Sequence, residues 1–303
     1  MDKVQFPYRS SSHLAFLHVA AHSGSWEKHG LEVEYDRWIS SEDAHRNVAD
    51  GSVEFVSGNH LSPYIRRCHG DRWVYLAQTV SLLRHRLAVR PDSGISRVGD
   101  LRGKTIAIKG KHPGLNAWLF VKRNGLLGEC TLERVRGETP PWTAVEKGAA
   151  DAAFVTAPAD LQARRAGLKI VDLEALPMVW YTTVSTALPF VEKHPEIVDR
   201  FLRGLCEAIA YFKTHRTQSI KILKERYTAE GPLDDEAAAH LYDDLKLILQ
   251  ARPYASLPAI RNVYEAALEQ SQEAEKTDPM ALWDFHFLRR IDDSGFIDSL
   301  YRS

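Results

Sequence analysis

The sequence predicts an α/β protein of two lobes, each built on a largely parallel sheet. Two observations carry this expectation. Strand-like and helix-like segments alternate as far as residue 195, and the alternation restarts near residue 100 after a first set of strands. The length agrees, since 303 residues suffice for two cores of ordinary size.

The elements follow in order. Residues 4–8 (VQFPY) read as a strand. After them Ser11 or Ser12 is a good helix N-cap, Leu14, Leu17, His18 and Ala21 share a helical face, and Gly30 is the stop. Residues 31–38 (LEVEYDRW) alternate with period two, as a half-buried strand does. SSEDAHRNVADG is a short helix with cap and stop, and VEFVSG is the third strand. RWVYLAQTVS and HRLAVRP are further strands. The second block opens with GDLRGKTIAIKG, a turn and a buried strand. KHPGLNAWLFVKRNG is a helix with Pro113 near its first turn and Gly125 at its end. CTLERVRG, PPWTAVEKGAA, DAAFVTAP and ADLQARRAG alternate strand and helix, and LKIVDL and MVWYTTVST complete the block as strands. Beyond residue 195 the chain reads as mostly helical, with Ile197, Phe201, Leu205, Ala208 and Phe212 on one helix face.

Composition narrows the partners. A formal net charge of −1 supplies no field to attract nucleic acid or an anionic membrane, and no apolar stretch is long enough to span a bilayer. Cys68, Cys130 and Cys206 are odd in number and widely spaced, which fits a reducing compartment better than a disulfide framework. The amino-terminal MDKVQFPYRSSSH enters a strand-like segment without the apolar core of an export signal, so a cytoplasmic location is expected, or a periplasmic one if the chain is trimmed. No HxH or HExxH spacing, GxGxxG or phosphate-binding loop occurs, so neither a metal nor a nucleotide cofactor is expected. The sequence does not fix an oligomeric state.

Ligands of open α/β sheets sit at the carboxyl ends of strands, and paired lobes bind in the cleft between them. That rule selects residues 10–13, Trp38 and the Gly58-Asn59-His60 turn, and in the second block residues 109–114 and 156–158, with Thr156 among them. His60 can take and give a proton near neutral pH, or Asn59 or His60 can simply cap the helix that starts near Leu61. His13 follows Ser11 and Ser12 at a helix start, where backbone N–H groups and hydroxyls attract anions; an ordinary serine cap reads the same. Arg84 and Arg86 lie on one face of a strand and His85 on the other, so one arginine could clamp a carboxylate, or all three could face outward. Trp38 and Trp180 are candidates to stack on a planar ligand, although buried tryptophan is more often core.

Four stretches, SGSWEKHGLEVEYDRW, GDLRGKTIAIKG, AVEKGAADAAFVTAPADLQARRAGLKIVDL and PEIVDRFLRGLCEAIAYFK, resemble the SsuA/THI5-type (NMT1-like) branch of type II periplasmic binding proteins. The resemblance covers most of the chain. It implies a Venus-flytrap fold with a helical carboxyl-terminal region: residues 1–88 in lobe I, 89–183 in lobe II, and 184–303 returning to lobe I. Most members of that branch are receptors of ABC importers for sulfonates, nitrate, taurine or thiamine precursors. A minority are cytoplasmic enzymes, among them pyrimidine synthases, aromatic sulfinate desulfinases and hydroxyphthalate decarboxylases. KGKHPG resembles the second-lobe anion loop of the fold, which implies ligand contacts from Lys111, His112 and Gly114. His60 and the following PYIRR resemble the His-then-Tyr-x-Arg arrangement of the desulfinase-like enzymes, which implies catalytic roles for His60 and Arg66. The desulfinases use a cysteine after the first strand where this chain has Ser10-Ser11-Ser12, and the pyrimidine synthases' cysteine-rich motif is missing. The resulting expectation is a cofactor-independent lyase, a decarboxylase of a small aromatic carboxylate held in the interlobe cleft. The alternative is a solute-binding protein, with an ABC permease as its partner, or a cytoplasmic sensor.

Overall fold

The computed structural model describes residues 1–109, 115–135, 139–229 and 231–302. The first block runs β1 (Asp2–Gln5), α1 (Leu14–His22), β2 (Leu31–Glu34), α2 (Ser41–Asp50), β3 (Val56–Ser57), α3 (Ser62–Arg66), β4 (Trp73–Leu83) and β5 (Arg86–Val89). The second runs β6 (Thr105–Ile108), α4 (Leu115–Arg123), β7 (Thr131–Arg134), α5 (Trp142–Glu146), β8 (Ala152–Val155), α6 (Ala159–Arg165), β9 (Lys169–Asp172) and β10 (Leu176–Ala187). Helices follow: α7 (Leu188–Lys193), α8 (Pro195–Thr214), α9 (Arg216–Arg226), α10 (Asp235–Ile248), α11 (Leu257–Gln270), α12 (His286–Asp293) and α13 (Phe296–Ser299). The chain forms two compact units. Met1–Leu82, Pro177–Ala238 and Leu245–Ser303 make the first; Leu83–Leu176 and Ala239–Asp244 make the second.

In the first unit β1 pairs in parallel with β2, and β10 lies between β3 and β4. Tyr8 bridges both Trp38 and Ser57, so the strand ends around residues 8, 38 and 57 are held side by side. Behind this sheet the ring of Phe55 stacks on Phe201 at 4.1 Å and Trp26 stacks on Phe201 at 5.3 Å. These large rings are fully buried, and each contributes on the order of 1.5–3 kcal/mol or more of apolar transfer.

In the second unit the strand order is β7-β6-β8-β5-β9. Its two faces follow from strand alternation. Leu87, Val89, Ile106 and Ile108 point to one side, where Ala117, Phe120 and Val121 of α4 cover them. Ala88, Ala107 and Ala153 point to the other, and these small residues let Val145 of α5 and Ala163 of α6 come close.

The structure corrects three expectations. The sheets are mixed. β6 is parallel to β7 and β8, but β5 is antiparallel to β8 and β9, and β10 is antiparallel to β3. β5 follows β4, a strand of the other sheet, across residues 84–85. The first helix ends at His22 instead of reaching Gly30. The Ser23 hydroxyl donates to the Ala20 carbonyl at 2.7 Å, competing with the helix, and Gly30 closes a separate 3₁₀ turn, Glu27–His29. Neither Ser11 nor Ser12 caps α1: its N-cap position is His13, and no side chain makes a cap bond there. The expected cap and stop of α2 do form, with the Ser40 hydroxyl accepting from the Asp43 N–H and Gly51 left-handed at the end.

Candidate functional site

β3 ends at Ser57, and the chain then turns through Gly58 at φ 109° and Asn59 at φ 68°. Gly58 is required by crowding. A Cβ there would lie 2.8 Å from His13 Cε1 and 3.0 Å from Arg9 Cβ. The bare backbone lets Arg9, His13 and His60 converge. His13 is buried, with Nδ1 2.8 Å from the Ser57 hydroxyl, and its ring centre is 6.2 Å from that of His60. The Arg9 guanidinium lies 5.9 Å above the exposed ring of Trp38 and donates through Nη1 to the Ile39 carbonyl. Its Nε is buried without a hydrogen-bond partner among the described residues. An unmatched buried donor is costly, and a bound anion would supply its acceptor.

The protons around His60 can be assigned. Gln78, fully buried in β4, gives its Nε2 hydrogens to the Val80 and Trp180 carbonyls, so its Oε1 faces Thr183 of β10. The single Thr183 proton goes to that Oε1. Thr183 Oγ1 therefore accepts from His60 Nε2, at 2.8 Å, and a neutral His60 carries its proton on Nε2.

Electrostatics keep both imidazoles neutral at pH 7. Burial first, then His60 and Arg9, press His13 down to about 3, against a hydrogen bond with the Ser57 backbone. Burial first, then Arg9, bring His60 down to about 4, while a hydrogen bond to the Tyr181 backbone favours the charged ring. An anion beside Arg9 would offset the Arg9 charge, the second cause for His60 and the last for His13, and so raise the proton affinity of His60 more than that of His13. Tyr181, like Asn59, has positive φ, at 55°; two non-glycine residues in this region flank His60. Strain of about 1–3 kcal/mol for such a residue is characteristic of functional sites.

A second network holds Asn59. Its Oδ1 accepts from the Ser41 hydroxyl at 2.8 Å and the Ser62 hydroxyl at 2.9 Å, and its backbone carbonyl accepts from the Tyr75 hydroxyl at 2.9 Å. Its Nδ2 lies 3.1 Å from His45 Nε2, which is also 2.8 Å from the Ser62 hydroxyl. His45 Nδ1 is 2.5 Å from Asp71 Oδ2. Although burial raises Asp71, the His45 and Arg66 contacts hold it below the ordinary carboxylate value. Ser62, His45 and Asp71 thus stand in the order of a serine nucleophile triad. However, the cavity of about 770 Å³ beside His45 and Asp71 is not lined by Ser62, whose hydroxyl is engaged with Asn59 and Ser41. The network instead fixes the left-handed Asn59 and so the direction in which His60 leaves the turn.

The other expected residues are dispersed. Arg66 pairs with Asp71 at 3.2 Å on the surface, where its guanidinium serves the Asn59 network. Ser11 and Ser12 lie in the 3₁₀ turn before α1, with Ser12 Oγ 2.9 Å from Ser10 Oγ. Trp180 packs edge-on against Tyr181 at 5.8 Å. In the second unit Thr156 follows β8, and Arg84 donates to Asp244 at 2.9 Å. Arg86 meets Asp160 at 2.9 Å and Asp172 at 3.2 Å, and also binds Asp244; the carboxylates this strand clamps are the chain's own. Lys111, His112 and Gly114 lie outside the described residues. Reasoning from sequence passed over Arg9, Gln78, Thr183 and the His45–Asp71 pair. One signal was present: QT and TT interrupt otherwise apolar strands, in WVYLAQTVSLL and LPMVWYTTVSTA.

The chain matches the family model described as NMT1/THI5 like over residues 11–219, more than two thirds of its length. Curated proteins give no match. Among solved structures, one from Bordetella bronchiseptica RB50 is similar with a TM-score of 0.70 at 18% identity, covering 97% of this chain and 98% of that one. The periplasmic aliphatic sulphonate binding protein SsuA from Escherichia coli follows at 0.68 and 16%, covering 93% and 99%. A cysteine-to-serine mutant of the desulfurization enzyme DSZB, in complex with biphenyl-2-sulfinic acid, gives 0.65 at 16%, covering 97% and 99%. At these identities the likeness is one of fold, and the fold is that of the periplasmic binding proteins.

Proposed function

Because this chain belongs to the NMT1/THI5-like family, we propose that it binds a small aromatic carboxylate at the Arg9–His13–Trp38–His60 group and decarboxylates it in the cytoplasm without a cofactor. The observation that carries this reading is the pairing of a buried and a half-buried neutral imidazole with a guanidinium whose buried Nε has no acceptor among the described residues. In this reading Arg9 binds the carboxylate, the part that the sequence offered to Arg84 or Arg86. Trp38 offers an exposed aromatic face beside it. The bound anion raises the proton affinity of His60. As the carboxyl–ring bond breaks, CO₂ leaves, the electron pair stays on the ring carbon, and the His60 imidazolium delivers its proton there. Neutral His60 then regains a proton from solvent.

A second reading, a solute-binding protein that hands a sulfonate to a permease, draws support from the Escherichia coli neighbour, itself a sulphonate binding protein. A guanidinium and serine hydroxyls suit a sulfonate as well as a carboxylate. A thermal-shift screen of hydroxylated aromatic carboxylates and alkanesulfonates, followed by CO₂ measurement on each hit, separates the two. A carboxylate that binds and releases one CO₂ per molecule supports the lyase; a sulfonate that binds and is not consumed, with no carboxylate turned over, supports the receptor.

A further inference from the structure

We propose that Cys68, His69 and Glu273 form a binding site for one zinc ion on the first unit. One sulfur, one imidazole nitrogen and one carboxylate oxygen from these residues all lie within 4.8 Å of one another. Their positions come from two short turns. Cys68 and His69 lie in the 3₁₀ turn Arg67–His69, closed by Gly70 in the left-handed region at φ 87°. Glu273 lies in the first turn of the 3₁₀ segment Gln272–Lys276, which Ser271 caps. The two turns are anchored to each other. The Thr277 hydroxyl donates to the Tyr64 carbonyl at 2.8 Å, and His69 Nε2 lies 2.9 Å from Glu273 Oε1. The His69–Glu273 pair accounts for two of the three groups; it does not account for a thiol beside them.

The donor set selects the metal. A thiolate and an imidazole are soft to borderline ligands that favour zinc over magnesium or calcium. Zinc–ligand distances of about 2.0–2.3 Å put the donors of a tetrahedral site roughly 3.5 Å apart, so His69 and Glu273, now 2.9 Å apart, open slightly and the Cys68 sulfur, within 4.8 Å of both, closes by about 1 Å at most. His69 and Glu273 are exposed or half-exposed and can do so by rotamer changes. Cys68 Sγ now donates to the Ile65 carbonyl at 3.3 Å and would give up that weak bond with its proton. Three protein ligands leave the fourth position to water. Glu273 stands 204 residues from His69, which is why no ligand-spacing motif is visible along the chain. Bound metal would tie the stretch that carries Asn59, His60 and α3 to the carboxyl-terminal part of the same unit, and would stabilise the folded chain by mass action.

The test uses the reduced full chain, freed of metal by a chelator and titrated with Co²⁺ and then Zn²⁺. One equivalent of Co²⁺ should give a thiolate-to-metal charge-transfer band in the near ultraviolet, displaced by Zn²⁺, and Zn²⁺ should raise the melting temperature. Cys68→Ser should abolish the band, while Cys130→Ser keeps it. His69→Asn and Glu273→Gln should each weaken Zn²⁺ binding roughly tenfold or more, since even outer partners of metal ligands are worth about that much. No charge-transfer band, or unchanged Zn²⁺ affinity in both Cys68→Ser and His69→Asn, overturns the proposal.

Discussion

At Gly58 an added methyl group would meet His13 Cε1 at 2.8 Å and Arg9 Cβ at 3.0 Å, and φ is +109° besides. Gly51 offers the matching control, because it too has positive φ, at 77°, but nothing lies within 4 Å of its added Cβ. Gly51→Ala should cost about 1 kcal/mol, the backbone term alone. Gly58→Ala should cost about 1–3 kcal/mol through the strained backbone, and more through the displaced rings. Urea denaturation of the two variants checks the difference, and equal losses would contradict the crowding described around Gly58. Residues of this kind were only partly legible in the sequence. Gly58, Asn59, His60 and His13 stand out because strand ends in α/β proteins collect polar groups. Arg9 does not, although it sits just before the serines: nothing local says that its side chain folds back to the Ile39 carbonyl and Trp38 rather than into solvent. Arg66 shows the converse limit. Its place in PYIRR fits a family pattern, but Asp71 is the partner it finds.

Among the elements, α8 shows how far periodicity reaches. The 3.6-residue pattern marks Ile197, Phe201, Leu205, Ala208 and Phe212; the last four are buried and Ile197, in the first turn, is half-buried. It does not mark Gly204, where the fold is most exacting. A Cβ there would come within 2.3 Å of Trp26 Cδ1 and 3.1 Å of the Trp26 backbone. The Trp26 ring stacks on Phe201, and its Nε1 donates to the Phe201 carbonyl at 3.1 Å, so it has no room to withdraw. Alanine is the better helix former by about 1 kcal/mol, yet Gly204→Ala should destabilise the protein by about 1–3 kcal/mol or more, because overpacking outweighs propensity. A midpoint of urea unfolding at or above that of the wild type would count against this packing of α8 on residue 26. Strand existence was likewise legible and strand direction was not. Alternation finds β5 and β8, but whether a strand runs with or against its neighbour depends on how it enters the sheet, and apolar periodicity is the same either way.

For the molecule as a whole, buried histidines tie stability to pH. His13 in the first unit and His85 in the second are both lowered from 6.5 to about 3, by burial above all, with neighbouring charges adding to it. Since the folded chain holds them neutral, the unfolded chain binds protons first as pH falls. Their contribution is whole above about pH 6.5 and drains toward pH 3, at up to about 1.4 kcal/mol per pH unit for each. Asp160, which burial raises but His240 and Arg86 together hold below 3.8, gives up its share as pH falls through that ordinary value. Denaturant titrations at pH 7.5, 6 and 5 should show stability falling, and His85→Gln should flatten the slope; constant stability between pH 6.5 and 5 would contradict the burial of these rings. The two-lobe α/β class was legible because block alternation survives in any alignment of strands and helices. The chemistry was less so, since His60 depends on Gln78 and Thr183 from strands far along the chain. Whether His60 moves a proton to substrate carbon, as proposed, is tested by comparing wild type with His60→Asn on an aromatic carboxylate that the wild type decarboxylates, recording affinity and CO₂ release together. The variant should keep its affinity within a few-fold while CO₂ release slows by about 10²–10⁴-fold. Release at the wild-type rate by a variant that binds normally would contradict it.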